Sequence, residues 1–429
     1  MQLFNLKDHT ESASFTKAVL QGIGRGQGLF FPDRIEPFDE KEIEDLLALP
    51  LVPRSQRILR HLIGGDELSE LEDIVADAFN FPAPLVKAEE DCWCLQLFRG
   101  PTLAFKDFGA RFLARVLGAV RNGRHLTILT ATSGDTGAAV AGAFHGQQGI
   151  DVVVMYPKGK ITPLQEKLIA TLGGNVHAIE VDSNFDQCQD LVKRAFDDQD
   201  FRERIGLNSA NSINIARLLA QVTYYFEAVA QLPVERRGSV LFSVPCGNFG
   251  DITAGLIAKA LGLKCRFAIA CNVNDTVPRY LKSGKWDPHP TVQTLSNAMD
   301  ISRPNNWPRT EALVRMEGWS LDDFACGSLT DDETEQSMRE VYAKTGYITE
   351  PHAAIALAVL KASKKPGEAG IFLGTAHPAK FRGDVERILG TRLPLPMALQ
   401  QVIGRECEKH EMKPDYEALK DYVLKTLKL

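Results

Sequence analysis

The sequence predicts an α/β fold with two parallel sheets, preceded by a mostly helical N-terminal segment. Short apolar runs typical of buried strands alternate with stretches typical of helices, and this alternation predicts parallel sheets flanked by helices. The alternation falls into two clusters, roughly residues 106–200 and 235–380, so we expect two sheets with a cleft between them. With 429 residues, the chain is long enough for two or three domains.

The first eighty or so residues are predicted to be mostly helical. Asp39, with Glu42 three positions later, forms a capping-box pattern before an apolar run. Pro50 is expected to end that helix, because proline cannot donate a backbone hydrogen bond. The two prolines within residues 81–84 indicate a boundary, so we place the N-terminal segment at residues 1–82.

Strands and helices alternate after this boundary. The predicted strands are residues 126–132, 151–156, 176–181, 239–244, 267–272 and 370–374. The predicted helices are residues 137–144, 163–172, 185–196, 213–231 and 252–261. These elements predict a smaller α/β domain over residues 83–232, a larger one over 233–395 and a C-terminal helical tail over 396–429. Ligands of such sheets bind at the carboxyl ends of the strands.

The composition excludes several classes of protein. Hydrophobic residues make up 44% and charged residues 24%, and a formal net charge of -6 gives no reason to expect nucleic acid. We find no apolar stretch long enough to cross a membrane and no secretory signal. The eight cysteines form no CxxC pair, which predicts reduced cytoplasmic thiols and no metal site. We expect small-molecule partners, with monomer and homo-oligomer both open.

The first of three notable loops is Ser243–Asp251, between a predicted strand and a predicted helix. Gly247 and Gly250 let the backbone turn tightly, and free N–H groups at the start of a helix form an anion site. The loop lacks the Gly-Lys-Ser/Thr ending of a nucleotide-binding loop, so ATP is not indicated. By itself the loop is equally compatible with a plain strand–helix turn.

The other two loops also follow predicted strands. In Thr130–Gly137, the hydroxyls of Ser133 and Thr136 and the backbone N–H groups could bind a carboxylate or a phosphate. Capping of the next helix without a ligand is the alternative. In Leu373–Lys380, Thr375 places a hydroxyl at the end of a strand, although by itself this pattern indicates only a helix N-cap.

The residue with the clearest chemical implication is Lys106, between Phe105 and Phe108. Aromatic neighbours can shield a lysine from water, and a desolvated lysine loses its proton more easily. A neutral lysine amine condenses with an aldehyde to a Schiff base. An aldehyde combined with a phosphate describes pyridoxal 5'-phosphate, whereas an isolated Phe-Lys pair would more simply be a surface lysine.

Taken together, these segments resemble the threonine synthase family, a fold-type II group of pyridoxal-phosphate enzymes related to the tryptophan synthase β chain. The resemblance runs from Asn5 to about residue 395. The matching segments are residues 101–109, 130–137, 156–160, 207–214, 245–251, 272–278, 295–300 and 373–381. Their order is far more specific than any single motif, and the added N-terminal segment resembles the bacterial and fungal branch.

The resemblance implies a reaction that converts O-phospho-L-homoserine and water to L-threonine and phosphate. It implies that Lys106 forms the Schiff base and that Thr375 hydrogen-bonds the pyridine nitrogen. The cofactor phosphate is expected on the loop formed by Gly247, Asn248, Phe249, Gly250 and Asp251. The expected substrate-binding residues are Thr132, Ser133, Gly134, Asp135, Thr136, Lys158, Lys160, Asn211, Ser212 and Asn214, while Arg111 and Arg217 are further cationic candidates for the substrate phosphate.

Two positions depart from the wider family pattern. Asp135 stands where an asparagine often bonds the phenolic oxygen of the cofactor, and an ionised carboxylate cannot donate a hydrogen bond. Cys246 stands where we expect serine, so we expect backbone N–H groups to bind the phosphate. Serine or threonine dehydration, β-replacement and non-catalytic cofactor binding remain as alternative functions.

Overall fold

The computed structural model describes residues 1–428. Its N-terminal part combines a small sheet with helices. Its strands are β1 (Gln2–Asn5), β2 (Asp8–Ser14) and β3 (Phe30–Phe31), paired antiparallel in the order β2-β1-β3. Its helices are α1 (Phe15–Gln21), α2 (Glu40–Ala48), α3 (Leu51–Ile63) and α4 (Leu71–Ala78).

The capping box predicted at Asp39 and Glu42 is confirmed, and α2 ends before Pro50. The sheet was not predicted. Its strands are short, and their pairing depends on Asn5, a buried residue whose amide donates to Glu11 and to the carbonyl of Arg25. Although these contacts are fairly local, strands of two to seven residues are too short for a periodic pattern to indicate them with any weight.

In the next part of the chain, up to Gln231, strands and helices alternate as predicted between residues 126 and 197, whereas the two strands and the helix before residue 126 were not predicted. Its strands are β4 (Leu85–Glu89), β5 (Cys92–Gln96), β6 (Leu126–Ala131), β7 (Ile150–Pro157), β8 (Val176–Val181) and β9 (Leu207–Asn208). Its helices are α5 (Lys106–Val120), α6 (Asp135–Phe144), α7 (Pro163–Ala170), α8 (Phe185–Asp197), α9 (Gln199–Ile205) and α10 (Ile215–Gln231).

The remaining part also begins with strands and helices in alternation. Its strands are β10 (Val240–Pro245), β11 (Cys265–Cys271), β12 (Ala325–Ser328) and β13 (Ala369–Gly374), followed late in the chain by β14 (Lys409–Met412). Its helices are α11 (Gly250–Ala260), α12 (Thr276–Ser283), α13 (Trp307–Met316), α14 (Asp331–Thr345), α15 (Pro351–Ser363), α16 (Arg382–Leu389), α17 (Met397–Ile403) and α18 (Tyr416–Leu427).

Two larger sheets organise these elements, which confirms the predicted fold class. The five-stranded sheet is parallel throughout, in the order β14-β8-β7-β6-β9. The six-stranded sheet has the order β12-β11-β10-β13-β5-β4, and all its neighbours are parallel except β4 and β5. Buried apolar residues of β6, β7, β10 and β13 form the interior of both sheets.

Two of the expected domain boundaries do not match the way in which the strands are divided between the two sheets. We placed residues 83–232 with the smaller sheet, but β4 and β5 belong to the six-stranded one, where Gln96 is in register with Gly374. The tail over 396–429 was expected to be helical, but β14 pairs with β8 and so completes the five-stranded sheet. In both cases the pairing joins strands more than 200 residues apart, which periodicity in the sequence does not reveal.

Candidate active site

One cleft lies at the carboxyl ends of strands from both large sheets. The strands β6, β10 and β13 end at Ala131, Pro245 and Gly374, and the residues that follow them line the same cavity. The predicted residues that line it are Lys106, Thr132, Ser133, Asp135, Thr136, Asn211, Ser212, Arg217, Gly247, Asn248, Phe249, Gly250, Asp251 and Thr375. The cavity therefore unites all three loops with Lys106.

Lys106 is the first residue of α5 and faces this cleft. Its ammonium lies 5.3 Å from the centroid of the Phe105 ring, and Phe108, two residues further along α5, is fully buried. Burial lowers the pKa of Lys106 to about 8, and the charges of Asp135, Lys380, Arg217 and Asp251 act on it as well. More of this amine is neutral at pH 7 than in an ordinary lysine, as its proposed chemistry requires.

The loop between β10 and α11 has the geometry of an anion site. Phe249 adopts a left-handed conformation with φ 62°, which turns the chain into the helix. A Cβ at Gly247 would lie 3.0 Å from both the carbonyl oxygen of Ala298 and the Cα of Met299, so a larger residue would press on this backbone and glycine is favoured there. Within residues 1–428, the N–H groups of residues 247–250 have no protein acceptor and remain available to an anion.

The carboxylate of Asp251 does not share this role. Its Oδ1 accepts hydrogen bonds from the hydroxyls of Tyr224 (2.5 Å) and Tyr225 (2.7 Å), which attach the loop to α10. Burial raises the pKa of this carboxyl to about 6. A negative side chain would repel a phosphate, so the part of Asp251 suited to an anion is its backbone.

Cys246 contributes structure rather than a phosphate contact. Its thiol donates to the carbonyl of Val244 at 3.1 Å, and burial raises the thiol pKa well above its ordinary value. It is absent from the cavity lining. This agrees with the expectation that backbone N–H groups, and not this side chain, meet a phosphate.

Thr375 follows β13 and is buried against the cleft. Its carbonyl accepts a hydrogen bond from the N–H of Phe105 at 2.9 Å, so the end of β13 is attached to the residue before Lys106. In the part of the chain that the structure describes, its hydroxyl makes no side-chain hydrogen bond. This hydroxyl is therefore able to donate to, or accept from, a ring nitrogen in the cleft.

The hydroxyl groups of the loop after β6 are of two kinds: one stabilises the turn and two lie on residues that line the cavity. The hydroxyl of Thr132 accepts from the N–H groups of Gly134 (2.9 Å) and Gly137 (2.8 Å), so it holds the turn in place. Gly134 does not line the cavity. Its φ is 129°, and a Cβ there would collide with Gln165. Ser133 and Thr136 keep their hydroxyls at the cavity surface.

Asp135 differs from the rest of this loop because its carboxylate is already paired. The ammonium of Lys380 lies 2.6 Å from Oδ1, and the amide of Gln165 donates to the same oxygen at 3.0 Å. Burial by itself would raise the pKa of Asp135, but the charges of Lys380 and Lys106 outweigh it and hold the pKa below its usual value. An ionised carboxylate repels another, so this side chain is unsuited to the predicted contact with a substrate carboxylate.

Of the three residues predicted to bind substrate in the segment before α10, two line the cavity and one does not. Asn211 accepts a hydrogen bond from the hydroxyl of Thr130 at 2.6 Å, and Ser212 accepts one from Asn306 at 3.0 Å. Asn214, expected to bind substrate, is instead fully buried outside the lining. It caps α10 and donates to the carbonyl of Val19 at 3.1 Å.

The two lysines predicted to bind substrate are not in the cavity lining. Lys158 forms an ion pair with Glu411 at 2.8 Å, and Lys160 donates to Gln293 at 3.3 Å. Glu411 belongs to β14, whose addition to the sheet was not predicted. The structure therefore places Lys158 outside the cavity, paired with an acidic residue from the opposite end of the chain.

Comparison with known proteins decides the family. The pyridoxal-phosphate dependent enzyme family matches residues 78–372, the threonine synthase N terminus matches residues 4–79, and the threonine synthase C-terminal family matches residues 353–423. The chain belongs to the threonine synthase family. It is accordingly a pyridoxal-phosphate-dependent lyase, as the resemblance implied.

Individual threonine synthases agree with this chain over their whole length. The protein from Haemophilus influenzae is 59% identical over 428 residues, which cover 99% of this chain and 100% of that protein. The crystal structure of threonine synthase from Escherichia coli superposes with a TM-score of 0.96 at 54% identity, covering 99% of this chain and 100% of that one. Pyridoxal-phosphate-bound threonine synthase from Brucella melitensis gives a TM-score of 0.91 at 34% identity, covering 99% and 98%.

The cleft fits the cofactor of the threonine synthase family. The glycine-lined turn with its free N–H groups suits a phosphate, Lys106 suits an aldehyde, and Thr375 suits a ring nitrogen. Among the described residues, no group of three His, Cys, Asp or Glu side chains could hold a metal ion. Likewise, no helix of the described residues could cross a membrane.

One residue of the cleft, His352, was not identified from the sequence because it lies in none of the three loops. His352 lines the cavity through its place at the start of α15. Its Nδ1 lies 2.5 Å from Oε2 of Glu350, and its Nε2 accepts from the N–H of Ala298 at 3.2 Å. This arrangement fixes the loop around Met299, which forms the wall of the cleft opposite Gly247. Glu350 caps α15, but a cap indicates only where a helix begins, so no local signal marks His352 as part of the site.

Proposed function

We propose that this cleft converts O-phospho-L-homoserine and water to L-threonine and inorganic phosphate. The observation that supports this most is the convergence of Lys106, the 247–250 turn and the Thr375 hydroxyl on one cavity. These groups come from distant parts of the chain, and together they match the aldehyde, phosphate and ring nitrogen of one cofactor. The role of each residue below is part of the proposal.

Each part of the cofactor has a partner in the cleft. Lys106 would hold it through its amine, the N–H groups of residues 247–250 would bind its phosphate, and Thr375 would hydrogen-bond its ring nitrogen. Pyridoxal phosphate, when bound, supplies an electron sink that makes C–H bonds next to an amino group more acidic. A hydroxyl on the ring nitrogen, unlike a carboxylate, need not keep that nitrogen protonated.

The substrate carboxylate has suitable donors at the start of α6. Ser133 and Thr136 expose their hydroxyls to the cavity, and the helix N-terminus favours a negative charge. Thr132 supports this turn from behind through its bonds to Gly134 and Gly137. We therefore assign substrate contact to Ser133 and Thr136 and a structural role to Thr132.

Arg217 is the best candidate for the substrate phosphate. Of the four cationic candidates, Lys158 and Lys160 are paired outside the lining, and Arg111 donates to the carbonyls of Asp77 and Ala78. Arg217 lines the cavity, is buried, and forms no ion pair in residues 1–428.

The guanidinium of Arg217 keeps spare donors. Its Nη1 donates to the carbonyl of Ala210 at 2.8 Å, while its Nε has no acceptor. Burial lowers its pKa to about 10, which still leaves it charged at pH 7. A buried cation without a carboxylate is costly, and a phosphate would offset this cost. Asn211 and Ser212 add neutral groups beside it.

Lys106 would also move protons during the reaction. With the substrate bound in the cleft, the amine of Lys106 would remove the proton from Cα and exchange protons at Cβ. Phosphate would leave from Cγ, a proton taken from Cβ would be returned to Cγ to complete the methyl group, and water would supply the hydroxyl at Cβ and its remaining proton to the released phosphate. A pKa near 8 suits this work, because the amine can both accept and return a proton near neutral pH.

Two further expectations accompany this function. We propose that the two large sheets act as two α/β domains on either side of the cleft, with the corrected membership of β4, β5 and β14. We also propose a cytoplasmic location, which is supported by the cysteines. All eight are free thiols in the structure, as a reducing compartment requires.

The deciding experiment incubates the cofactor-loaded protein with O-phospho-L-homoserine and measures threonine and inorganic phosphate in one sample. Equal amounts of both are expected. Phosphate without threonine would indicate an eliminating lyase, and formation of neither product would contradict the proposal. Lys106→Ala is the control for the cleft, since a folded variant without turnover would assign the reaction to Lys106. A variant that kept normal activity would overturn this mechanism.

A further inference from the structure

A fully buried ion pair lies beside the lysine that holds the cofactor in our proposal. The ammonium of Lys380 is 2.6 Å from Oδ1 of Asp135, and both side chains are at most 3% exposed. Lys380 also donates to the carbonyl of Thr102 at 3.0 Å. Gln165 completes the cluster by donating to Asp135 at 3.0 Å. Every contact around the carboxylate therefore stabilises its ionised form.

The two members of this pair come from different parts of the fold. Asp135 begins α6, which follows a strand of the five-stranded sheet. Lys380 lies in a short helical turn after β13, in the six-stranded sheet. Asp135 lines the cleft, whereas Lys380 does not. A cofactor would consequently face the carboxylate, with the lysine behind it.

A carboxylate at this depth needs a cation to remain charged. Burial favours the neutral form of an acid, and an isolated buried carboxylate takes up a proton. With Lys380 in contact, the pKa of Asp135 is instead held below its usual value. The pair thus delivers a fixed negative charge to the wall of the cleft next to Lys106.

From this arrangement we infer that Lys380 is a positioning residue that keeps Asp135 ionised, so that Asp135 acts as the counter-ion of the nitrogen joining Lys106 to the cofactor. The inference rests on the proposed role of Lys106. It explains why an acid can stand where a neutral amide donor was expected. At this position a negative charge favours a protonated nitrogen, whereas an asparagine would be neutral.

Four charged groups act on Lys106, and their signs decide the expected effect. Asp135 and Asp251 favour its protonated form, while Lys380 and Arg217 disfavour it. Asp135 is the strongest of the four. If the ionised Asp135–Lys380 pair were replaced by two neutral side chains, the nitrogen of Lys106 would therefore lose its proton at a lower pH.

The test titrates the visible absorbance of the cofactor in the holoenzyme against pH, without substrate. Asp135→Asn is expected to lower the midpoint by about 0.5 pH units or more. Lys380→Met is expected to shift it in the same direction, because Asp135 loses the ammonium that most strongly opposes the effect of burial and then takes up a proton more easily. If Lys380 acted only as a nearby positive charge, its removal would raise the midpoint. A raised or unchanged midpoint in Lys380→Met would overturn the inference.

Two further variants test whether a shift arises only from misfolding or from the loss of any buried or surface lysine. The double variant Asp135→Asn/Lys380→Met leaves no unpaired buried charge, and its midpoint should also lie below that of the unmodified protein. An unshifted midpoint in the double variant would contradict the inference even if Lys380→Met failed to fold. Lys361→Met serves as the matched control, because Lys361 pairs with Glu89 outside the cleft lining and should leave the midpoint unchanged.

The test also separates this inference from the proposed function. The midpoint is read without O-phospho-L-homoserine, so an inactive protein can still support or refute the role of Lys380. Loss of the visible band in Lys106→Ala would confirm that the band reports on this lysine. If that band persisted in Lys106→Ala, the assignment of Lys106 itself would be wrong.

Discussion

The N–H of Phe105 donates a hydrogen bond to the carbonyl of Thr375 at 2.9 Å. Next to it, Ala104 and Ala376 form an isolated antiparallel bridge. These contacts join the segment that carries Lys106 to the end of β13, some 270 residues later in the chain. The two ends of the cofactor site, amine and hydroxyl, are thereby held together by backbone and do not depend on side-chain packing alone.

The lowered pKa of Lys106 predicts how the protein without cofactor takes up pyridoxal phosphate. Only the neutral amine reacts with the aldehyde, so the rate should rise with pH and level off above about pH 8. Below that value it should fall about tenfold for each pH unit. Stopped-flow absorbance after mixing checks this. A plateau reached only near pH 10 would indicate an ordinary, solvated lysine.

Substitution of Gly247 is predicted to weaken cofactor binding. A Cβ in Gly247→Ala would lie 3.0 Å from the carbonyl of Ala298 and the Cα of Met299, so the turn must shift and its N–H groups lose their alignment. Titration with pyridoxal phosphate should show a Kd higher by about tenfold or more, as expected for the loss of one charged hydrogen bond.

A second glycine provides the matched control for that experiment. Gly118 is exposed on α5 and has open space around its Cα, so Gly118→Ala should leave the Kd unchanged. It should also raise the free energy of unfolding by about 0.5–1 kcal/mol through the better helix propensity of alanine. Equal effects of the two variants on Kd would show that the turn is not the phosphate site.

Arg217→Gln is predicted to impair use of the phosphorylated substrate. Removing one partner of a buried charged contact costs about 2 kcal/mol or more, so kcat/KM for O-phospho-L-homoserine should fall by about 30-fold or more. Lys158→Gln should change it far less, because Lys158 is exposed and already paired with Glu411. Steady-state kinetics of both variants decide this. A larger loss in Lys158→Gln would restore that lysine to the phosphate site.

Asn214→Ala is predicted to affect stability more than substrate binding. The side chain caps α10 and donates to the carbonyls of Val19 and Ser209 in a fully buried position. Loss of these contacts should lower the free energy of unfolding by about 2 kcal/mol. Chemical denaturation measures that loss. A large rise in KM with unchanged stability would instead return Asn214 to the list of substrate ligands.

The elements around the cleft were predictable because their patterns are local. The strand at Val176–Val181 was predicted to the residue, and the helices at Pro163 and Phe185 begin where the sequence places them. The strand-to-helix loops at 130–137 and 243–251 follow from glycines and small polar residues beside apolar runs. Reactive residues on such loops are visible in the sequence because their function depends on the turn itself.

Residues whose role depends on a distant partner were not predictable. Lys158 was a candidate for the substrate phosphate and Lys380 was not, yet the structure pairs Lys158 with Glu411 at the surface and Lys380 with Asp135 in the interior. The difference lies in which segments the fold brings against them. Arg217 shows the converse, because only the structure separates it from Arg111, whose donors are satisfied by carbonyls of α4 and the residues beside it.

The sequence by itself determined the α/β class, the lysine that can react with an aldehyde and the turn that can bind a phosphate. Each of these is a property of a short segment, set by periodicity, by glycine and by the neighbours of one amine. The tertiary structure decided that β5 joins β13, that β14 joins β8, and that Asp135 meets Lys380. Those contacts form between segments far apart in the chain, where burial and charge pairing select partners that no local pattern encodes.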